Sequence, residues 1–222
     1  MEKFFIYSHI FCGALVLLLG LMNIVSKKGT RRHVLIGRTY VGAMWWICLS
    51  ALSLTTFYRF SMFLMVIAVI TFYTSFVGLR VLRRRKLGSE QWYDWTASIL
   101  TGLFGIGLLI YAGMVFFSGK NEVLGILSFV FGVLAFNMGF QEIRFFVKAK
   151  TDEKKWWLYQ HIGAISGSYI AAVTAFAVQN GEALGVTNHN WLLWVLPGVI
   201  GSVVISITIK KRRKRDKVAL HP

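Results

Sequence analysis

Hydrophobic residues in this chain come in long unbroken blocks, separated by short polar stretches. Seven blocks can be drawn, at residues 4–26, 34–56, 60–80, 95–117, 123–147, 156–179 and 191–209. Each is long enough to cross about 30 Å of hydrocarbon at about 1.5 Å per residue. A backbone in lipid must satisfy its own hydrogen bonds, which leaves helices and closed barrels. The blocks are too long and too continuous for barrel strands. The pattern therefore predicts an all-α, polytopic membrane protein with seven transmembrane helices. The expected division is one seven-helix domain, 1–209, followed by a basic tail, 210–222. The first block is read as a retained span: it is longer than a signal-peptide core, and no small-residue cleavage site follows it.

Charge adds an orientation. "SKKGTRR", "RVLRRRK", "KAKTDEKK" and "KKRRKRDK" carry twenty Lys and Arg between them, and they fall in alternate connections. The opposite connections hold three, Lys3, Arg59 and Lys120, while Arg38 and Arg144 fall inside blocks. Positive charge marks the cytoplasmic face. The N-terminus is expected outside, the C-terminal end in the cytoplasm, and the location is the cytoplasmic membrane. Anionic lipid headgroups are the expected partners of the basic loops and tail, and a homo-oligomer or another membrane subunit is the protein partner considered.

Composition fits this picture. Of 222 residues, 56% are hydrophobic and 15% aromatic, with two prolines, and the mean hydropathy is +0.60. The net charge of +16 would suit nucleic acid in a soluble chain. Here the charge is confined to short clusters between apolar blocks, so nucleic acid is excluded. Cys12 and Cys48 lie inside blocks without CxxC spacing and are read as small buried hydrophobes. Trp92, Trp95, Trp156, Trp157, Tyr159, Trp191 and Trp194 lie near block ends and are read as interfacial anchors. Gly163, Gly167 and Ala171, and likewise Gly198, Ser202 and Ser206, form rows of small residues expected to let helices approach closely.

Ionisable groups inside a bilayer are functional candidates, because they cost several kcal/mol unless paired or hydrated. His33, Gly37 and Tyr40 share one helix face, with Arg38 rotated off it and able to snorkel to the headgroups. Asn137, Gln141 and Arg144 form a polar stripe at i, i+4 and i+7, beside Glu142. Glu142 is expected to pair with an arginine such as Arg38 or Arg144. The stripe reads either as an interhelical polar lock or as a hydrated pocket for an anionic or redox-active ligand.

The histidines divide by face. His33 and His161 enter from the inner side, with Ser168 on the His161 face, while His9 and His189 lie at the outer side. His221, in the tail, is read as solvated. Imidazoles gripping iron near each face would suit a transmembrane electron carrier with b-type haem, which needs no Cys motif. By helix rise, His33 and His161 differ in depth by about 7 Å, as do His9 and His189, which tilt would have to absorb. Zinc or another metal is the alternative occupant.

The stretch "SHIFCGALVLLLGLMNIVSKKGTRRHVLIGRTYV" resembles the opening of the domain-of-unknown-function (2306) family of predicted bacterial membrane proteins. "WWLYQHIGAISGSYIAAVTAFAVQN" resembles that family's later histidine-bearing helix. The matching residues are His9, Gly13, His33, Gly37, Arg38, Tyr40 and His161. The family has no settled activity, so the resemblance implies a membrane fold and no mechanism. A methionine expected near Ile165 is missing, which argues against a sulfur ligand there.

Three functions remain open on the sequence. One is a haem-bearing redox protein using His33 with His161, and His9 with His189. Another is a transporter or small-ligand binder built around Arg38, Tyr40, Asn137, Gln141, Glu142, Arg144 and His161. The third is a structural or partner-binding membrane subunit. No Ser-His-Asp set, HExxH, GxGxxG or P-loop is present, which argues against hydrolase and nucleotide chemistry.

Overall fold

The computed structural model describes residues 1–119, 121–148, 150–151, 153–186 and 190–218, without the side chains of residues 190, 191 and 218. Within them the chain forms seven helices: α1 (Glu2–Val25), α2 (Arg31–Phe57), α3 (Met62–Arg80), α4 (Trp92–Ser118), α5 (Glu122–Lys148), α6 (Trp156–Gln179) and α7 (Asn190–Val218). All seven are long and apolar enough to cross a membrane. Their outward surfaces are strongly apolar, with side chains such as Phe117 97% exposed. So large an apolar surface suits lipid and not water.

Local chemistry sets the helix ends. Thr30 caps α2 by accepting from the His33 amide at 3.3 Å, and Ser61 caps α3 by accepting from the Leu64 amide at 3.3 Å. The Asp94 carboxylate accepts from the Gln91 amide at 2.9 Å at the start of α4. Gly119 ends α4 in the left-handed region at φ 62°, which glycine adopts without steric cost.

Six helices lie within a few residues of the sequence expectation. The seventh does not stop at 209 and runs on to Val218. Lys and Arg are good helix formers, and cations near a helix C-terminus oppose the macrodipole. Pro197 lies inside α7, and the helix continues past it.

The chain divides into two compact units, 1–81 with 157–222, and 82–156. The first holds α1, α2, α3, α7 and nearly all of α6. Its core centres on α2, where Tyr40, Met44, Cys48 and Ala51 pack with Val16 of α1 and Ala68 of α3. Trp45 Nε1 donates to Ser75 Oγ at 3.1 Å, joining α2 to α3. Gly20 lies against the Tyr169 ring so closely that a Cβ would fall 2.2 Å from it. Gly78 meets Ile165, and Gly201 meets Ile170, in the same way. Tyr159 donates to Asp216 at 3.0 Å, and the Arg213 guanidinium lies 5.0 Å from the Tyr159 ring centre. The basic end of α7 is thereby held against the start of α6.

The second unit is the α4–α5 hairpin with its flanking connections. α4 buries Asp94, Ser98, Thr101, Gly105, Leu108 and Ala112, in steps of four and three. α5 answers with Gly125, Ser128, Gly132, Ala135, Gly139 and Glu142, in steps of three and four. This 3.5-residue period is that of a left-handed coiled pair. Contact is backbone to backbone: a Cβ on Gly105 would fall 2.3 Å from the Phe136 nitrogen, and one on Gly139 2.4 Å from the Ser98 carbonyl oxygen.

Close helix approach is therefore made by glycines other than those expected. A Cβ on Gly167 or Gly198 would meet nothing within 4 Å, and one on Gly163 would meet Ile209 at 3.8 Å. Spacing alone does not tell which face of a helix meets a neighbour. The anchor reading also changes. Trp92 is exposed, but Trp156 and Tyr159 are buried. Trp156 packs on Phe145 with ring centres 4.8 Å apart, Trp95 on Phe146 at 5.1 Å, and Trp194 on Phe63 at 3.8 Å.

Candidate functional site

In the first unit, three imidazoles are each fixed through Nδ1. His161 Nδ1 lies 2.7 Å from the Gly78 carbonyl oxygen. A carbonyl only accepts, so Nδ1 carries the proton, and the neutral ring keeps its lone pair on Nε2. His9 Nδ1 lies 2.9 Å from Ser50 Oγ, and Ser50 gives its one hydroxyl proton to the Ile47 carbonyl at 2.9 Å. Ser50 Oγ then accepts from His9. The same reasoning holds for His33, 3.3 Å from Ser26 Oγ, because Ser26 donates to the Asn23 carbonyl at 3.0 Å. In all three rings the nitrogen left for a ligand is Nε2.

The three rings lie at two levels. His33, at the start of α2, and His161, near the start of α6 and bonded to Gly78 at the end of α3, lie toward the same end of this unit. His9 is bonded to Ser50, seventeen residues beyond His33 on α2, which is about 25 Å along the helix. Between the levels Tyr40 OH and Ser168 Oγ form a buried hydrogen bond of 2.8 Å. Tyr169 OH donates to the Leu17 carbonyl at 3.2 Å. His189 and His221 lie outside the described residues.

Beside His33 is the turn between α1 and α2. Lys28 Nζ donates to the Asn23 carbonyl and to the Ile24 carbonyl at 2.8 Å. These carbonyls are left without helical partners at the end of α1. Burial pushes the Lys28 ammonium below its ordinary pKa.

No family model, curated protein or solved structure matches this chain.

The remaining sequence candidates are divided between the units. Arg38 is exposed, and Tyr40 is buried with Ser168 as its partner. In the second unit, Asn137, Gln141 and Arg144 lie exposed on α5, while Glu142 is buried on the face toward α4. The stripe and Glu142 therefore do not share a pocket. Glu142 also has a different partner from those expected. Its Oε2 is 2.9 Å from Nη2 of Arg84, in the 81–91 connection. Arg84 is 2% exposed, and its guanidinium carbon stands 4.6 Å from the Phe146 ring centre. In "RVLRRRK" nothing distinguishes Arg84 from its neighbours, and only the folded connection turns it inward.

Among the described residues, no group of three or more His, Cys, Asp or Glu is placed to hold a metal ion. A zinc site needs three or four protein ligands, whereas a haem iron needs two axial ones. What this arrangement offers is two imidazoles on different helices, each anchored through Nδ1.

Proposed function

We propose that the protein is an integral cytoplasmic-membrane protein, with its N-terminus outside, that binds b-type haem between His33 and His161 and acts in electron transfer. The observation that carries this reading is that His33 and His161 stand at the same end of one unit on different helices, each with Nδ1 tied back and Nε2 left out of that bond. A backbone carbonyl on Nδ1 fixes the ring and raises the basicity of Nε2, the usual support for a metal-binding histidine. The bound haem would supply one-electron redox chemistry. Gly78 and Ser26 would orient the two rings. Lys28, Arg31 and Arg32 would neutralise carboxylates at the edge of such a group, and the basic end of α7 would rest against anionic headgroups. His9, held by Ser50, is the start of a second, outer site. His9, His33 and His161 are also histidines on which the family resemblance rests.

The test is an absorbance spectrum of the purified chain after haem loading. A Soret band that disappears in His161→Ala, and shifts or disappears in His33→Ala, is expected. No band in the correctly folded wild type rules the reading out.

A further inference from the structure

We infer that the outward polar seam of α5 is an interface between two copies of this chain, in which Asn137 and Gln141 pair with the same amides of the partner subunit. The face of α5 turned toward α4 is fully used by its glycine-rich seam. Asn137 and Gln141 lie on a different face and are exposed. Asn137 is fifteen residues from Glu122 and eleven from Lys148, about 22 Å and 16 Å along the helix. That is the middle of the hydrocarbon, where an unmet carboxamide is unfavourable.

Gln141 Nε2 donates to Asn137 Oδ1 at 3.3 Å. That bond leaves Asn137 Nδ2 and Gln141 Oε1 with no hydrogen bond in the described chain. One is a donor and the other an acceptor, so the seam lacks what a second copy of itself supplies. A two-fold axis along the membrane normal would bring the two sets together, and such symmetry is the commonest in homo-oligomers. Phe136 and Phe140, exposed and stacked with ring centres 5.7 Å apart, border the amides with apolar surface. An ionic partner does not match this depth, where the seam carries no net charge. Arg144 is four residues from Lys148, within about 6 Å of the helix end. It can reach the headgroups, so like charges need not meet.

The test uses the full chain in liposomes, with Cys12 and Cys48 replaced by alanine. Single cysteines are introduced as Asn137→Cys, Phe140→Cys and Arg144→Cys on the seam, and as Ser128→Cys and Ala135→Cys on the α4 side. Oxidation is expected to give a dimer from the first three and none from the other two. Energy transfer between labelled copies, followed on diluting protein into lipid, is expected to show a dissociation constant raised about tenfold in Asn137→Leu/Gln141→Leu. The cross-linking arm stands even if that double variant does not fold. A chain that stays monomeric at every protein-to-lipid ratio, cross-links equally from both faces, or couples at residue 137 only to another protein overturns the inference.

Discussion

Tyr159 OH donates to the Asp216 carboxylate across 3.0 Å, joining residues at opposite ends of the α6–α7 segment. Asp216 is the one acid in "KKRRKRDK", and it also accepts from Arg212 Nε at 3.2 Å. Removing the hydroxyl with Tyr159→Phe leaves a buried carboxylate short of one donor and should cost about 1 kcal/mol. Hydrogen exchange at residues 210–218 should accelerate in the variant while exchange in α2 stays as it is.

The Arg84–Glu142 pair should behave as a buried ion pair. Breaking it from one side with Arg84→Ala should cost about 3–5 kcal/mol, because Glu142 is left charged and alone. The double substitution Arg84→Met/Glu142→Met should recover most of that loss. Thermal unfolding of the three variants in one detergent measures both effects.

Two glycines should respond with opposite signs. Gly139→Ala forces a Cβ to within 2.4 Å of a backbone oxygen, which should cost about 1–3 kcal/mol as α4 and α5 part. Gly167→Ala meets nothing within 4 Å and should gain up to about 1 kcal/mol from helix propensity. Paired thermal unfolding curves would reveal the contrast.

Orientation rests on the distribution of positive charge. A reporter fused after Lys217 should remain in the cytoplasm, whereas one inserted after Arg59 should emerge outside.

The seven spans were legible because lipid imposes a minimum apolar length on each, and that length is written directly in the residue order. The far end of α7 was not, because a polar stretch of helix carries no apolar block. It is revealed by the Asp216 contact with Tyr159. The histidines stood out as the rare ionisable residues within spans. Their anchors did not: Gly78 acts through its backbone, and Ser26 and Ser50 are ordinary serines that become anchors only through where the fold places them against His33 and His9. Arg84 shows the limit most clearly. Five cations in "RVLRRRK" all suit topology, and one is folded inward onto Glu142. The polar stripe of α5 had the expected spacing, but spacing could not reveal that Glu142 faces away from it.

The hairpin of α4 and α5 has a consequence for how the chain is made. Only residues 119–121 link the two helices, and their backbones touch at Gly105 and Gly139. With so short a link, the two helices are expected to enter the membrane together as one hairpin. Neither can be threaded the wrong way while the other is right, so an insertion error here would have to be reversed for both at once.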